Sequence, residues 1–320
     1  METYNSGHLD VGDGHKIWYS ESGDPKGIPG VSMHGGPGAK SKPKHLYTFD
    51  EIDYQGKEFR VIQIDQRGCG LSLPQGSIER NTTQDLIEDV EKIRKHLKIE
   101  KWFVAGGSWG SAMGVLYTQA HPRRVHGLLL RSVYLANSQD EDWLFGPNGA
   151  RRIFPDITSR QSVFFEKRGI DIFDRVKVHE FMLECLNGDD KDLMRQVVVN
   201  LSMYESNIMK PGKVFEFRQM EDVTEEDINS ERVFCHYQCN SYFIEDDQII
   251  KDAVKLEGIP VSIIHGRYDI VCAVNSAFRL HKAIPHSTLR ITDYDGHHLS
   301  ADSNHLMRYM FVDLVARGLK

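Results

Sequence analysis

Residues 101–122, "KWFVAGGSWGSAMGVLYTQAHP", decide how this chain is read. A short apolar run, Trp102 to Ala105, breaks at two glycines and passes directly into a helical pattern that Pro122 closes. At the junction, "GGSWG" (106–110) fits Gly-x-Ser-x-Gly, the strand-to-helix turn that presents a nucleophilic serine. The requirement is steric. The serine adopts a strained backbone conformation, and the residues two positions to either side must be small so that strand and helix can approach. Gly106 and Gly110 supply this and leave Ser108 exposed. The five-residue pattern alone is weak; its place between a strand and a helix makes it strong.

The alternation extends outward in both directions. "KIWYSESG" and "GIPGVSMHGG" read as early strands, and "FRVIQID" (59–65) reads as a buried strand running into the turn "QRGCG". A helix is predicted from about Thr83, because Leu86, Val90, Ile93 and Leu97 share one face and Thr82 or Thr83 can cap its start. "VHGLLLRSVYL" is a further strand. After about Asn137 no strand pattern is convincing for roughly a hundred residues, and mixed-polarity helical segments replace it. "IPVSIIHG" (259–266), a helix around "AVNSAFRLHKAI" and "STLRIT" (287–292) restore the rhythm. The expected class is α/β: a mostly parallel central sheet flanked by helices, residues 1–136 and 246–320, with residues 137–245 inserted as a helical cap.

A serine hydroxyl is a poor nucleophile until a base takes its proton, and the base needs an acid that holds its tautomer. In folds with this turn the partners follow in the order serine, acid, histidine. Asp269 in "HGRYD" and His297 in "YDGHH" each follow a predicted strand, on the sheet edge where ligands bind. Of the adjacent pair His297 and His298, the one directly after the glycine is preferred. Acyl transfer also needs two N–H donors for the developing oxyanion. The backbone of Trp109 is one; Gly36 in the glycine-rich turn "HGGPG" (34–38) is the other.

Composition excludes several classes. The chain has 320 residues, 40% hydrophobic, with 39 basic against 46 acidic residues and a net charge of −7 spread along its length. A nucleic-acid or anionic-membrane partner is not expected. The N-terminus is polar, no run approaches a bilayer span, and five unevenly spaced cysteines do not resemble a disulfide framework, so a cytoplasmic location is expected. "RVFCHYQC" (232–239) brings Cys235, His236 and Cys239 together, but no second ligand pair accompanies them and no metal is expected.

Taken together, "HGGPG", "DQRGCGLS", "GGSWGS" with "AHP", and "HGRYDIVC" before "DGHH" resemble the proline iminopeptidase (prolyl aminopeptidase) family of α/β-hydrolases, from about residue 10 to 315. "RRIFPD" (151–156) and "SMYES" (202–206) in the insertion resemble it too. The resemblance implies a serine peptidase that removes an N-terminal proline from a small or short-peptide substrate without cofactor or metal. It assigns Ser108 as nucleophile, Asp269 as acid, His297 as base, and Gly36 and Trp109 as oxyanion donors. Asp65 and Arg67 match a family motif expected to serve loop architecture.

The resemblance also implies cap glutamates that hold the substrate amine. Glu205 matches the first; the second should precede a His-Tyr-Phe triplet, where this chain has Phe234, and the triplet's phenylalanine is Gln238. Tyr134 and Leu144 stand at pocket positions, and Cys272 is retained. One amine-binding carboxylate is therefore expected instead of two. The alternative is a related serine amidase, esterase or lactonase acting on a dedicated small molecule; a non-catalytic binding protein on the same scaffold is disfavoured by the complete triad.

Overall fold

A computed structural model describes residues 1–50, 52–209 and 218–320. The strands are β1 (Thr3–Gly12), β2 (His15–Gly23), β3 (Ile28–Met33), β4 (Phe59–Ile64), β5 (Trp102–Ser108), β6 (Val125–Val133), β7 (Val261–Gly266) and β8 (Thr288–Thr292). The helices are α1 (Thr83–His96), α2 (Trp109–Ala120), α3 (Ser138–Phe145), α4 (Pro155–Glu166), α5 (Arg175–Asn187), α6 (Lys191–Met209), α7 (Glu225–Cys239), α8 (Gln248–Lys251), α9 (Val274–Ala283) and α10 (Ala301–Gly318).

The strands form one sheet in the order β1-β2-β4-β3-β5-β6-β7-β8. Pairings from β4 through β8 are parallel, whereas β1–β2 and β2–β4 are antiparallel. The inner parallel strands are largely apolar and buried because helices cover both faces. Side chains alternate between two cores, as the two-residue period demands. In β5, Trp102 and Val104 join the core under α1 and α2, while Phe103 and Ala105 join the one beneath α10. The N-terminal strand β1 is not among the strands read from the sequence: its side chains are mostly exposed, which erases the apolar signal. Its pairing with β2 turns on Asp13-Gly14, both at positive φ, a dipeptide suited to tight hairpins.

Between β6 and β7 the described residues contain helices and no strand. They carry their own apolar clusters: Met182, Val197, Leu201 and Cys235 in one, Phe145, Ile157, Tyr204 and Ile208 in the other. Helix α7 starts at a capping box formed by Thr224 and Asp227. It turns Cys235 into the insertion and Val233 and Tyr237 onto the sheet domain, so one helix joins the two layers. None of the helices is long and apolar enough to cross a membrane, among the described residues.

The loops at the carboxyl edge are held by buried polar contacts. Asp65, just beyond β4, accepts the Ser41 N–H at 2.8 Å and the Leu71 N–H at 2.9 Å. Arg67 donates through Nε at 2.6 Å and Nη2 at 2.9 Å to the Asp89 carboxylate on α1, both groups being almost fully buried. Removing one partner of such a pair strands the other charge. Arg67→Gln is therefore expected to destabilise the protein by about 3–5 kcal/mol in urea unfolding, with Arg67→Gln/Asp89→Asn recovering part of the loss.

Candidate active site

Ser108 ends β5 and precedes α2 with φ 57° and ψ −134°, a combination that L-residues rarely adopt. Its neighbours explain how it is held. A Cβ at Gly106 would lie 2.0 Å from the Gly110 carbonyl oxygen, and one at Gly110 would lie 2.3 Å from that of Met33. Neither position tolerates a side chain, so strand and helix meet at a distance only glycine allows. Ser111 Oγ donates to the Ser108 carbonyl oxygen at 2.7 Å and ties the first helical turn to the elbow.

Asp269 follows β7 and His297 follows β8. His297 Nδ1 lies 3.1 and 3.0 Å from the two Asp269 carboxylate oxygens, and Asp269 Oδ1 also accepts the N–H groups of Val271 (3.0 Å) and Cys272 (2.9 Å). Burial pushes the Asp269 pKa up, but the facing His297 outweighs it and the net shift is downward. The carboxylate is ionised, so Nδ1 carries the imidazole proton and Nε2 is left to accept one. His297, not its neighbour His298, makes this contact. Ser132 Oγ fixes the loop by donating to the His297 carbonyl oxygen at 3.0 Å.

The turn at residues 34–38 lies against the elbow: a Cβ at Gly35 would approach the Gly107 oxygen and the Ser108 Cβ to 3.3 Å. Gly36 has φ +113°, where a side chain would be strained. Trp109 opens α2, so its N–H has no intrahelical acceptor. Gln66 ties the two segments together by accepting from the Trp109 indole at 2.9 Å and donating its backbone N–H to His34 Nε2 at 3.0 Å. This bracing residue was not singled out in the sequence, because its role depends on two loops far apart in the chain.

Ser108, His297, Gly36, Tyr134, Leu144, Glu205, Phe234, Gln238 and Cys272 all line one cavity of about 400 Å³. Tyr134 donates its hydroxyl to the buried Glu141, and Gln238 Nε2 donates to the Tyr242 hydroxyl at 2.6 Å. Gln238 thus joins a buried polar network in this wall. Phe234 packs edge-on to His179 at 5.8 Å between centroids.

The cavity is lined by a second insertion carboxylate besides the expected Glu205. Glu231 on α7, one helical turn before Phe234, lines the same cavity as Glu205 on α6. Burial pushes the Glu205 pKa up to about 7. Burial, reinforced by the Glu205 charge, raises that of Glu231 well above its ordinary value. The family motif falls on position 234; helical periodicity, which returns the same face one turn away, is the sequence signal for Glu231.

The residues of "RVFCHYQC" diverge. Cys235 is buried in the insertion core, while His236 Nε2 bonds the Asn81 carbonyl oxygen at 3.0 Å. Asp269, Cys272 and His297 do bring ligand-type atoms within 4.8 Å of one another. However, burial raises the Cys272 thiol well above its usual pKa, with the Asp269 charge adding to the effect. A protonated thiol beside a carboxylate already bonded to imidazole suits proton transfer better than metal ligation.

Gly110→Ala is expected to fold poorly or displace the elbow. Covalent labelling of Ser108 by an organophosphonate should then fall at least about tenfold per folded molecule, the scale of losing roughly 1.4 kcal/mol of transition-state alignment.

The family described as alpha/beta hydrolase fold matches residues 31–303. Among solved structures, a carboxylesterase of Nitrososphaera gargenis superposes with a TM-score of 0.61 at 17% identity, covering 98% of this chain and 99% of that one. The enol-lactonase of Burkholderia xenovorans gives 0.56 at 18%, covering 97% and 100%. A probable proline iminopeptidase of Leptolyngbya boryana is 35% identical over 92% of this chain and 88% of its own length. The proline iminopeptidase of Arabidopsis thaliana is 36% identical over 93% and 76%, and that of Neisseria meningitidis 35% over 91% and 89%. The chain belongs to the proline iminopeptidase family of α/β hydrolases.

Proposed function

We propose that the protein is a serine aminopeptidase that releases an N-terminal proline from short peptides or aminoacyl amides. The observation that carries this reading is the pair of carboxylates, Glu205 and Glu231, in the cavity that also holds Ser108 and His297. A hydrolase for neutral esters has no use for two half-buried acids, whose desolvation is costly without a cation to face them. A prolyl ammonium supplies that cation. The family names of the relatives agree with it.

In this reading the ammonium rests between Glu205 and Glu231, and the ring packs among Tyr134, Leu144 and Phe234. Ser108 Oγ attacks the prolyl carbonyl carbon while His297 Nε2 takes its proton, and Asp269 stabilises the imidazolium through Nδ1. The carbonyl oxygen becomes anionic against the N–H groups of Gly36 and Trp109. His297 then protonates the departing nitrogen, the C–N bond breaks, and a prolyl ester remains on Ser108. Water attacks the ester with His297 as base, releasing proline and restoring the serine. Residues 137–245 act as a lid that contributes both carboxylates. Five unpaired cysteines, four of them buried, suit a reducing compartment such as the cytoplasm.

Ser108→Ala is expected to lose about 10⁴-fold or more in kcat on prolyl anilide, and N-acetylprolyl anilide is expected not to be turned over by the wild type. Hydrolysis of acylated substrates or plain esters with none of prolyl anilide would overturn the reading. Glu231→Gln lowers kcat/KM for prolyl anilide about tenfold or more, the scale of one charge-assisted hydrogen bond. The pH dependence follows from the sign of the shift: below its raised pKa Glu205 is neutral and holds the ammonium weakly, and above it the carboxylate is ionised. The ratio of kcat/KM for prolyl anilide to that for an amine-free ester should rise as pH climbs through about 7. In Glu205→Gln the ratio should flatten.

A further inference from the structure

The cavity has walls of opposite charge. The insertion side carries Glu205 and Glu231, while the sheet-domain side carries Lys40, Lys42, Lys44 and Arg131 beside the neutral His45. In a chain of net charge −7 this concentration of cations is local. Lys40 is matched by an ion pair with Glu226 near the start of α7. Lys42 and Arg131 have no carboxylate within ion-pair distance among the described residues.

Arg131, on β6, lies directly against the elbow. A Cβ at Gly107 would come within 2.6 Å of its guanidinium carbon. Burial lowers its pKa, partly offset by the charge of Asp269. His45 Nδ1 accepts the Lys42 N–H at 3.2 Å, which leaves the ring proton on Nε2 as a donor. Burial, then the charges of Arg131, His34, Lys44 and Lys42, hold the His45 pKa down to about 3, so the ring stays neutral within a positive field.

We infer that Lys42, Arg131 and His45 form a carboxylate subsite for the leaving group, so that the preferred substrates are prolyl dipeptides with a free C-terminus. The inference rests on the aminopeptidase reading and narrows it. In a dipeptide the α-carboxylate is only two bonds from the scissile nitrogen, so a cation that recognises it must stand beside the nucleophile. Arg131, packed on the residue before Ser108, does so. The substrate is then a zwitterion held at both ends, its ammonium on the insertion side and its carboxylate on the sheet side. Charge-assisted pairing with a guanidinium in a partly desolvated cavity is worth roughly tenfold or more in affinity. In longer peptides the carboxylate moves away from the subsite and the advantage falls.

The test compares kcat/KM for Pro-Ala, Pro-Ala-amide, Pro-Ala-Ala-Ala and prolyl anilide. The expected result is a free acid at least about tenfold better than its amide, a ratio that falls toward one with added salt and with peptide length. Lys42→Gln, on an exposed loop, and Arg131→Gln, in the sheet, should each lower the acid-to-amide ratio severalfold; should the second fail to fold, the first reads the subsite alone. Turnover of prolyl anilide with an acid-to-amide ratio of one or less overturns the subsite and leaves the aminopeptidase intact. So does a wild-type preference that Lys42→Gln leaves unchanged. Failure to turn over prolyl anilide at all overturns the aminopeptidase reading itself.

Discussion

Everything in the site is referred to the close approach of β5 and α2 at Ser108. The serine sits at φ 57° because Gly106 and Gly110 let the strand and the helix touch, with the Met33 oxygen closing the third side. That contact points the hydroxyl out of the sheet edge and opens a helix N-terminus behind it. The elbow also anchors its surroundings: Gly35 packs on it from one loop and Arg131 covers Gly107 from the next strand. The strain is local, and the two cores on either face of β5 resist its relaxation.

The second organising feature is a set of ionisable groups drawn out of full contact with water. Arg67 and Asp89 satisfy one another and serve the loops. Glu205 and Glu231 face each other's field in the cavity, and burial raises both pKa values. In the proposed function this pair of acids receives a cation, because binding would relieve both desolvation and repulsion. The sheet-domain cations are the mirror image for an anion. The insertion and the sheet domain therefore contribute complementary halves of one dipolar cavity, joined through α7.

Much of this was legible in the chain. The elbow, the acid after β7 and the histidine after β8 are local features, each marked by glycines and by a strand that stops, and their order follows from the fold. The helix beginning at Thr83 was readable from its cap and its apolar face. What escaped did so for different physical reasons. Strand β1 is an edge strand with exposed side chains and so lacks the alternating pattern. Gln66 matters because it bridges His34 and the Trp109 indole, a contact between residues 32 and 43 positions away. Glu231 escaped because correspondence was sought at one position, whereas a helix offers the same face again one turn away.

By itself the sequence determined the chemistry available: a serine on a glycine-flanked turn, an acid and a base in workable order, and an α/β layering, since all of these are written in short-range steric and periodic patterns. The tertiary structure decided what that chemistry faces. Which histidine meets Asp269, how many carboxylates reach the cavity, and that the cations of residues 42 and 131 gather with the neutral His45 on the opposite wall depend on the packing of distant segments. Charge recognition is a matter of distances through a partly dry cavity, and distances between segments far apart in the chain exist only once it is folded.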